Sequence, residues 1–383
     1  MKDDVYVIGV GMHPFNKDFI PTRDMFFTAG MEALKDAGIS FKEVDALYTG
    51  FISPEIMTGV TYAKDLGLTG IPVTHVENAS ATGSTAFREA VMAVEGGKAN
   101  IAMAIGFDDM LQMGQMMAQM MFSQKPTIDS IILPAAFFAM WAVRRMYENG
   151  TTVETFAKIA AKNWNHARFN KYAQRQSKEV VTPEDILNSR MVAYPHTSKM
   201  AAATGGGGAA AIVANKEIAQ RLAGGRPLVK VLASQLQSER YTEGHVFMGA
   251  VVGPPELTRS TAQAAYEEAG LGPQDLNLVQ VHDAFPIEEL MYMELLGICG
   301  PGEADGLVAE GATQIGGKIP FSTDGGLIAR GHPGGPTGLA QIWETTTQLR
   351  GEAGPRQVEG ARTGLAHMMG AGSVSVVHIL QRQ

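Results

Sequence analysis

Cysteine is almost absent from these 383 residues, with Cys299 alone. One thiol closes no intrachain disulfide and builds no cysteine-rich metal site, and such usage fits a reducing, cytoplasmic setting. Long apolar runs are lacking too. The most apolar stretch, Ser130 to Val143, contains Pro134 and is too short for a bilayer, so it reads as a buried helix. No charged-then-apolar leader precedes Tyr6-Val7-Ile8-Gly9-Val10, which reads as a first strand. Basic charge is not in excess: the net charge of −8 argues against a general nucleic-acid surface and leaves room only for local basic patches. What is present, 45% hydrophobic and 18% charged residues, suits a soluble α/β enzyme of one or two domains.

Two small-residue elbows carry the chemistry. One is Glu77-Asn78-Ala79-Ser80-Ala81-Thr82-Gly83-Ser84, and the other is Gly331-His332-Pro333-Gly334-Gly335-Pro336-Thr337-Gly338. Each runs into a helix and places one reactive side chain, Ser80 or His332, at or near its start. Glycine lets a substrate approach the backbone, and a helix N-terminus favours negative charge. A serine and a histidine on two such elbows point to acyl chemistry.

The chain also repeats itself. Ala33-Leu34-Lys35-Asp36-Ala37-Gly38-Ile39 aligns with Ala265-Tyr266-Glu267-Glu268-Ala269-Gly270-Leu271, each an amphipathic helix end with a glycine stop. A short acidic turn and an apolar strand follow both. Downstream, the helix after Gly83 and the strand Ile101 to Gly106 match the helix after Gly338 and the strands between Gly364 and Leu380. Two matches in the same order indicate a duplicated β–α unit. Between the halves, methionines at 113, 116, 117, 120 and 121 suit the core or a subunit interface. Farther on, Lys158, Lys162, Arg168, Lys171, Arg175 and Lys178 interleave with Trp164, Phe169 and Tyr172. They read either as a solvated helix face or as a dock for a phosphorylated, aromatic-headed cofactor such as coenzyme A.

The chain resembles the thiolases, in the branch of the thiolase domain of sterol carrier proteins and its bacterial and archaeal relatives. The resemblance runs through Val5 to Met12, the Ser80 elbow, Asn188 to Ala193, Val281-His282-Asp283-Ala284-Phe285, Gly325 to Pro333 and Gly370-Ala371-Gly372. It implies an α/β thiolase fold, five-layered α-β-α-β-α, built from two duplicated βαβ halves. The first half would cover residues 1–110 and 201–235, with an inserted region for coenzyme A, acyl and oligomer contacts at 111–200, and the second half 236–383. It also implies a coenzyme A thioester substrate, a homodimer or larger assembly, and a small zinc-ribbon/OB-fold partner whose zinc nothing in this chain would ligate. A membrane or nucleic-acid partner is not expected.

By the same resemblance, Ser80 stands at the nucleophile's position, where thiolases hold cysteine. His332 corresponds to its activating histidine, and His282 to the residue that places a water or donor at an oxyanion hole. Gly370 and Gly372 match the C-terminal glycine loop whose N–H groups stabilise the acyl-enzyme oxyanion. Lys162, Trp164, Arg168, Lys171 and Arg175 would hold the coenzyme A. Ala284 stands at a second cysteine position of many relatives and Met368 at or beside the acid/base cysteine of the C-terminal loop, so His367, just before that loop, could replace it or be a loop histidine. Cys299 reads as a small core residue. A serine hydroxyl is far less acidic than a thiol and needs an aligned base. Several readings therefore stand: a thiolase whose cysteine has been replaced, a thiolase-like aldolase for β-hydroxyacyl-CoA, a non-catalytic scaffold, or a hydrolase. For the aldolase, Tyr241, His245 and Tyr292 are candidate acids and bases. Residues Met113 to Met140 would suit a bulky or aromatic acyl group, as in benzoylsuccinyl-CoA-type thiolases.

Overall fold

The computed structural model of the protein describes residues 4–52, 57–110, 134–241 and 254–383. Strands β1 (Val5–Asn16), β2 (Ala46–Gly50), β3 (Val73–Val76), β4 (Ile101–Asp109), β5 (Met191–Ala193), β6 (His196–Thr197), β7 (Gly206–Asn215), β8 (Val229–Ser238), β9 (Leu278–Gln280), β10 (Thr363–Gly370) and β11 (Val374–Arg382) alternate with helices. The helices are α1 (Thr22–Ala37), α2 (Thr58–Leu66), α3 (Thr82–Glu95), α4 (Pro134–Asn149), α5 (Val153–Ala167), α6 (Pro183–Leu187), α7 (Lys216–Leu222), α8 (Pro255–Ala269), α9 (Pro286–Leu295), α10 (Ala304–Ala309), α11 (Gly326–Ala329) and α12 (Gly334–Arg350).

The sheet order β3-β2-β4-β7-β1-β8-β11-β10-β9 shows the duplication directly. Outward from the seam, the first half reads β1, β7, β4, β2, β3. The second reads β8, β11, β10, β9, followed by Phe321, which bridges Val279 in parallel, so β8 (Val229–Ser238) opens the second half and the expected boundary near 235 moves ahead of Val229. β7 and β11 run antiparallel to their neighbours at the same place in each half. Within the sheet, the described pairs Tyr6↔Lys230 and Val7↔Val229 join the halves. The repeat extends to the turns. α1 ends at Gly38 (φ 68°) and α8 at Gly270 (φ 66°), the left-handed stop that glycine alone adopts at no steric cost. The next turn is closed in one half by Glu43 accepting from the Ser40 N–H and in the other by Asp275 accepting from the Gly272 N–H, both at 2.8 Å.

Strand alternation distributes the core into layers. Along β4, Ile101, Met103, Ile105 and Phe107 meet α1, while Ala102 and Ala104 face the interior between the halves. In β1 a bulge after Val7 switches the parity, so Val5 and Val7, then Val10 and Met12, reach the same central cluster. An outer cluster on the second half packs α8, α9, α4 and α5 against β9, β10 and β11. The central layer holds α3 and α12, and every residue of α12 except Trp343 is buried. The stretch read as a buried helix is two-sided where it is described: Phe137, Phe138 and Ala142 are buried in α4, whereas Met140 and Val143 face solvent.

Several histidines are shut in and kept neutral. Burial pushes His166, His367 and His378 down to about 3 and His196 to about 4. Unfolding returns each to about 6.5, so below that pH the unfolded chain binds more protons than the folded one. Their contribution to stability is present at neutral pH and is lost as pH falls toward 4. Burial also lifts Asp283 to about 7, and that group works in the opposite sense over the same window. With four histidines against it, the urea midpoint is expected to fall between about pH 6.5 and pH 4. His196 lies between Phe156 and Phe285 with neither ring nitrogen hydrogen-bonded. The His196→Phe variant should flatten that slope, and a slope identical to wild type would refute the assignment.

Candidate active site

The two elbows meet because α3 and α12 touch through glycine. A Cβ placed on Gly83 would sit 2.4 Å from the Gly335 carbonyl oxygen, and one on Gly338 would sit 2.5 Å from the Ser84 nitrogen. No side chain fits there, so the helices approach backbone to backbone and their N-termini lie together. Ser80 Oγ is 3.1 Å from His332 Nε2 across 252 positions of sequence. Each elbow is pinned separately. Ala79 has φ 47°, and Glu77 accepts its N–H at 2.6 Å, while the Asn78 N–H donates to Thr82 Oγ1 at 2.9 Å. On the other side, the His332 N–H donates to the Ala203 carbonyl at 2.8 Å. The buried Asp108 carboxylate at the end of β4 accepts from Ile52 and from Gly335 in the first turn of α12, supplying the N-terminal partner that Pro333 lacks.

Hydrogen bonding fixes the His332 tautomer. Thr337 Oγ1 donates its one proton to the Pro333 carbonyl and therefore accepts from His332 Nδ1–H, 3.1 Å away. Nε2 is left as the acceptor that faces the Ser80 hydroxyl. Burial, with the charges of His282 and Arg330, holds His332 well below its ordinary value, so it is neutral and ready to take a proton. Thr337→Val is expected to lower kcat by roughly 10- to 100-fold, less than the roughly 10⁴-fold cost of losing a buried carboxylate partner. Steady-state kinetics showing KM changed and kcat intact would contradict this role.

His282 stands edge to face with His332, ring centroids 5.1 Å apart. Its Nδ1 meets the buried Glu288 carboxylate at 2.7 Å, and Tyr292 donates to the same oxygen at 3.1 Å. Burial works against its charged form, but the charge and hydrogen bond of Glu288 outweigh it, so His282 lies above the ordinary histidine range. Two neighbouring histidines are thus pushed apart, one toward base and one toward acid. Gly370 closes the far wall: a Cβ there would lie 2.2 Å from the Asn78 carbonyl oxygen, so the glycine loop presses on the Ser80 elbow. Gly372 is exposed at φ 86°.

Other expected residues lie elsewhere. His367 shares its strand face with Leu365 and Met369 and packs on Tyr292 at 4.4 Å between ring centroids, whereas Met368, on the opposite face, packs with Ala81. His367 therefore points away from the Ser80 elbow, and neither of its nitrogens is hydrogen-bonded. Among the residues read as a coenzyme A dock, Lys162 is buried against Glu289 (3.2 Å) and the Phe321 carbonyl (2.9 Å), leaving no free charge for a phosphate. Arg175 donates to the Ala201 and Ile328 carbonyls and covers Trp164, whose indole N–H donates to the Lys199 carbonyl. Those three hold α5 in place. Arg168 is partly exposed and bonded to the Lys178 carbonyl. Lys171 lies over Tyr172 beside a cavity of about 600 Å³, which Trp343 and Arg356 also line. Trp343 lies nine residues into α12 from its first residue, Gly334, about 14 Å along the helix. Tyr241 is exposed, and His245 and the methionine row 113–121 lie outside the described residues. Cys299 packs beside the core of the second half, where burial and nearby carboxylates push its thiol up to about 11.

Glu288, Thr337 and Asp108 were not singled out from sequence. The signal for Glu288 was local: Pro286 opens a helix, Glu288 caps it three residues after Phe285, and Tyr292 lies one turn on.

The fold is a two-half α/β architecture that brings Ser80 and His332 together at paired helix N-termini. The chain belongs to the thiolase family: residues 5–192 match the thiolase N-terminal domain and residues 247–382 the thiolase C-terminal domain-like model. It is 37% identical to an acetyl-CoA acetyltransferase of Methanothermobacter thermautotrophicus, covering 99% of this chain and all of that one. It is 35% identical to the benzoylsuccinyl-CoA thiolase subunit BbsB of Thauera aromatica (97% and 96% covered) and 36% identical to rat sterol carrier protein 2 (97% and 71%). Among solved structures, the Ltp2-ChsH2(DUF35) aldolase superposes with a TM-score of 0.83 at 24% identity, covering 100% and 98%. Human mitochondrial 3-ketoacyl-CoA thiolase in complex with CoA superposes at 0.70 and 17%, also covering 100% and 98%.

Proposed function

We propose that this protein cleaves or forms the C–C bond of a 3-ketoacyl-CoA in the thiolase manner, with Ser80 at the nucleophile's position. The observation that carries this reading is the Ser80 Oγ–His332 Nε2 contact at 3.1 Å, with the other imidazole nitrogen committed to Thr337. Ser80 Oγ attacks the 3-keto carbon as its proton passes to His332. The C2–C3 bond breaks, C2 leaves as the enolate of the shorter acyl-CoA, and the acyl group stays on Ser80. The thiol of free coenzyme A then attacks that ester and loses its proton to solvent, His332 returns the proton it holds to the serine oxygen, and acyl-CoA departs. The Gly370 loop against the elbow suits the oxyanion of both steps, a contribution of a few kcal/mol where donors are preorganised.

The relatives named above support coenzyme A thioesters as substrates, and of the residues expected to hold it Lys171 is an exposed cation and Arg168 a half-exposed one. The outer edge of β3, which no described strand pairs, suits a dimer, an assembly of this edge with its copy. A small zinc-ribbon/OB-fold partner and a cytoplasmic location complete the proposal. No described helix is long and apolar enough to cross a membrane.

One observation favours a second reading, a retro-aldolase on a β-hydroxyacyl-CoA: no cysteine stands at Ser80, at Ala284 or at Met368, where the thiolase resemblance places cysteines or their immediate neighbours, while the histidine pair is intact. The test offers the protein a 3-ketoacyl-CoA with free coenzyme A and, separately, a β-hydroxyacyl-CoA. Two acyl-CoA products that vanish in Ser80→Ala support the first reading. Release of an aldehyde or ketone that survives in Ser80→Ala establishes the second.

A further inference from the structure

The enolate that leaves in the proposed reaction needs a proton, and the positions where a thiol would supply it hold Ala284 and Met368. His367 cannot replace it: it points to the other strand face, and burial and the charge of His282 keep it at about 3. A second imidazole, His282, borders His332.

We propose that His282 delivers the proton to the enolate carbon and that Glu288, steadied by Tyr292, is the positioning residue that keeps it loaded. This rests on the thiolase reading for the reaction it serves.

Geometry supports it atom by atom. One Glu288 oxygen accepts from His282 Nδ1 at 2.7 Å and from the Tyr292 hydroxyl at 3.1 Å. The other accepts the Phe285 N–H at 3.3 Å. The carboxylate is fully buried, with donors on both oxygens, so it cannot turn away. Nδ1 is therefore committed, and Nε2–H is the one His282 bond free to break. The charged groups around the ring agree. From α9 come Glu288 and Tyr292. Asp283, next in the chain, spends its oxygens on the Leu327 N–H and on Asn163 Nδ2, both at 2.6 Å. The two imidazoles that approach, His332 from the elbow and His367 from β10, are both held neutral by burial, so no like charge competes. A buried imidazolium beside a buried carboxylate is tolerable only as such a pair.

The step balances. As C2–C3 breaks, its electrons move to C2, the His282 Nε2–H bond breaks and a C2–H bond forms. His282 becomes neutral and keeps Nδ1–H on Glu288. It regains a proton from solvent after the shorter acyl-CoA leaves.

The reverse step gives a test that needs no C–C chemistry. Acetyl-CoA is incubated with the full chain in deuterated water, and deuterium at C2 is read by mass spectrometry. In parallel, the histidine rings of isotope-labelled protein are titrated by NMR, with His282→Gln identifying the signal. Exchange is expected to fall at least about 100-fold in His282→Gln. In Glu288→Gln the His282 titration should drop by at least about one pH unit, and the exchange–pH profile should drop with it. Glu288→Asp should restore part of both. A His282 titration that stays put in Glu288→Gln overturns the positioning role. A titration that moves without the exchange profile, or wild-type protein that exchanges no deuterium, overturns His282 as the donor. Failure of thiolysis with exchange intact counts against the thiolase reading alone.

Discussion

Changing Ser80 to cysteine is expected to raise thiolysis of a 3-ketoacyl-CoA by about 10²- to 10⁴-fold, the span of one well-matched proton-transfer contribution. The geometry for attack is already present, since Oγ lies 3.1 Å from a neutral imidazole nitrogen whose tautomer is fixed. What the hydroxyl lacks is acidity. A thiol titrates near ~8.5, so it gives up its proton far more readily to a base that burial has weakened. The second half-reaction gains as well, because a thioester returns its acyl group to coenzyme A more easily than an oxygen ester. Both effects act in the same direction, and neither depends on which acyl chain is carried. Single-turnover and steady-state rates on one substrate, with Ser80→Ala as the floor, measure the gain. Equal rates for serine and cysteine would mean that no acyl-enzyme forms, which leaves retro-aldol cleavage as the surviving enzymatic reading.

The parts of this site that were legible in sequence are those whose job is local. Gly38 and Gly270 end helices because only the backbone at that point matters, and the same turn chemistry follows each. The two elbows could be read because small residues ahead of a helix have few other uses. Residues whose roles depend on distant partners were misread. Lys162 looked like one of a row of solvent cations, yet its Glu289 partner lies 127 positions away on α9, and α5 is covered by the core of the second half. Arg175 and Trp164 failed as a coenzyme A dock for the same reason, since they serve carbonyls and each other. His367 was misplaced by a rule that was available: side chains alternate along a strand, so if Met368 meets Ala81, its neighbour cannot. Glu288 carried a local signal as the cap of a helix opened by Pro286, but nothing in sequence shows that the loop carrying His282 turns back over that first turn of α9.

A second large effect is expected at a residue with no chemistry of its own. Gly83→Ala should cut activity by about 100-fold, the cost of displacing reacting groups by about 1 Å. It should also destabilise the fold by about 1–3 kcal/mol, as overpacking does. The added methyl would lie 2.4 Å from the Gly335 carbonyl oxygen and 3.0 Å from the Leu339 nitrogen, and both are backbone atoms of a buried helix that no rotamer change can move. Helix α3 must then retreat from α12. Ser80 precedes α3 and His332 precedes α12, so the gap opens at their hydrogen bond. Asp108 keeps hold of α12 through Gly335, which confines the displacement to the Ser80 side. His282 and Glu288 belong to the second half and should stay paired, so the His282 titration should match wild type while turnover falls. Gly97→Ala is the matched control: Gly97 lies just beyond the far end of α3 with nothing within 4 Å, although its φ of 66° adds local strain. It should lose some stability and keep its turnover. Equal activity losses in the two variants would show that the glycine contact between the helices does not set the distance between serine and histidine.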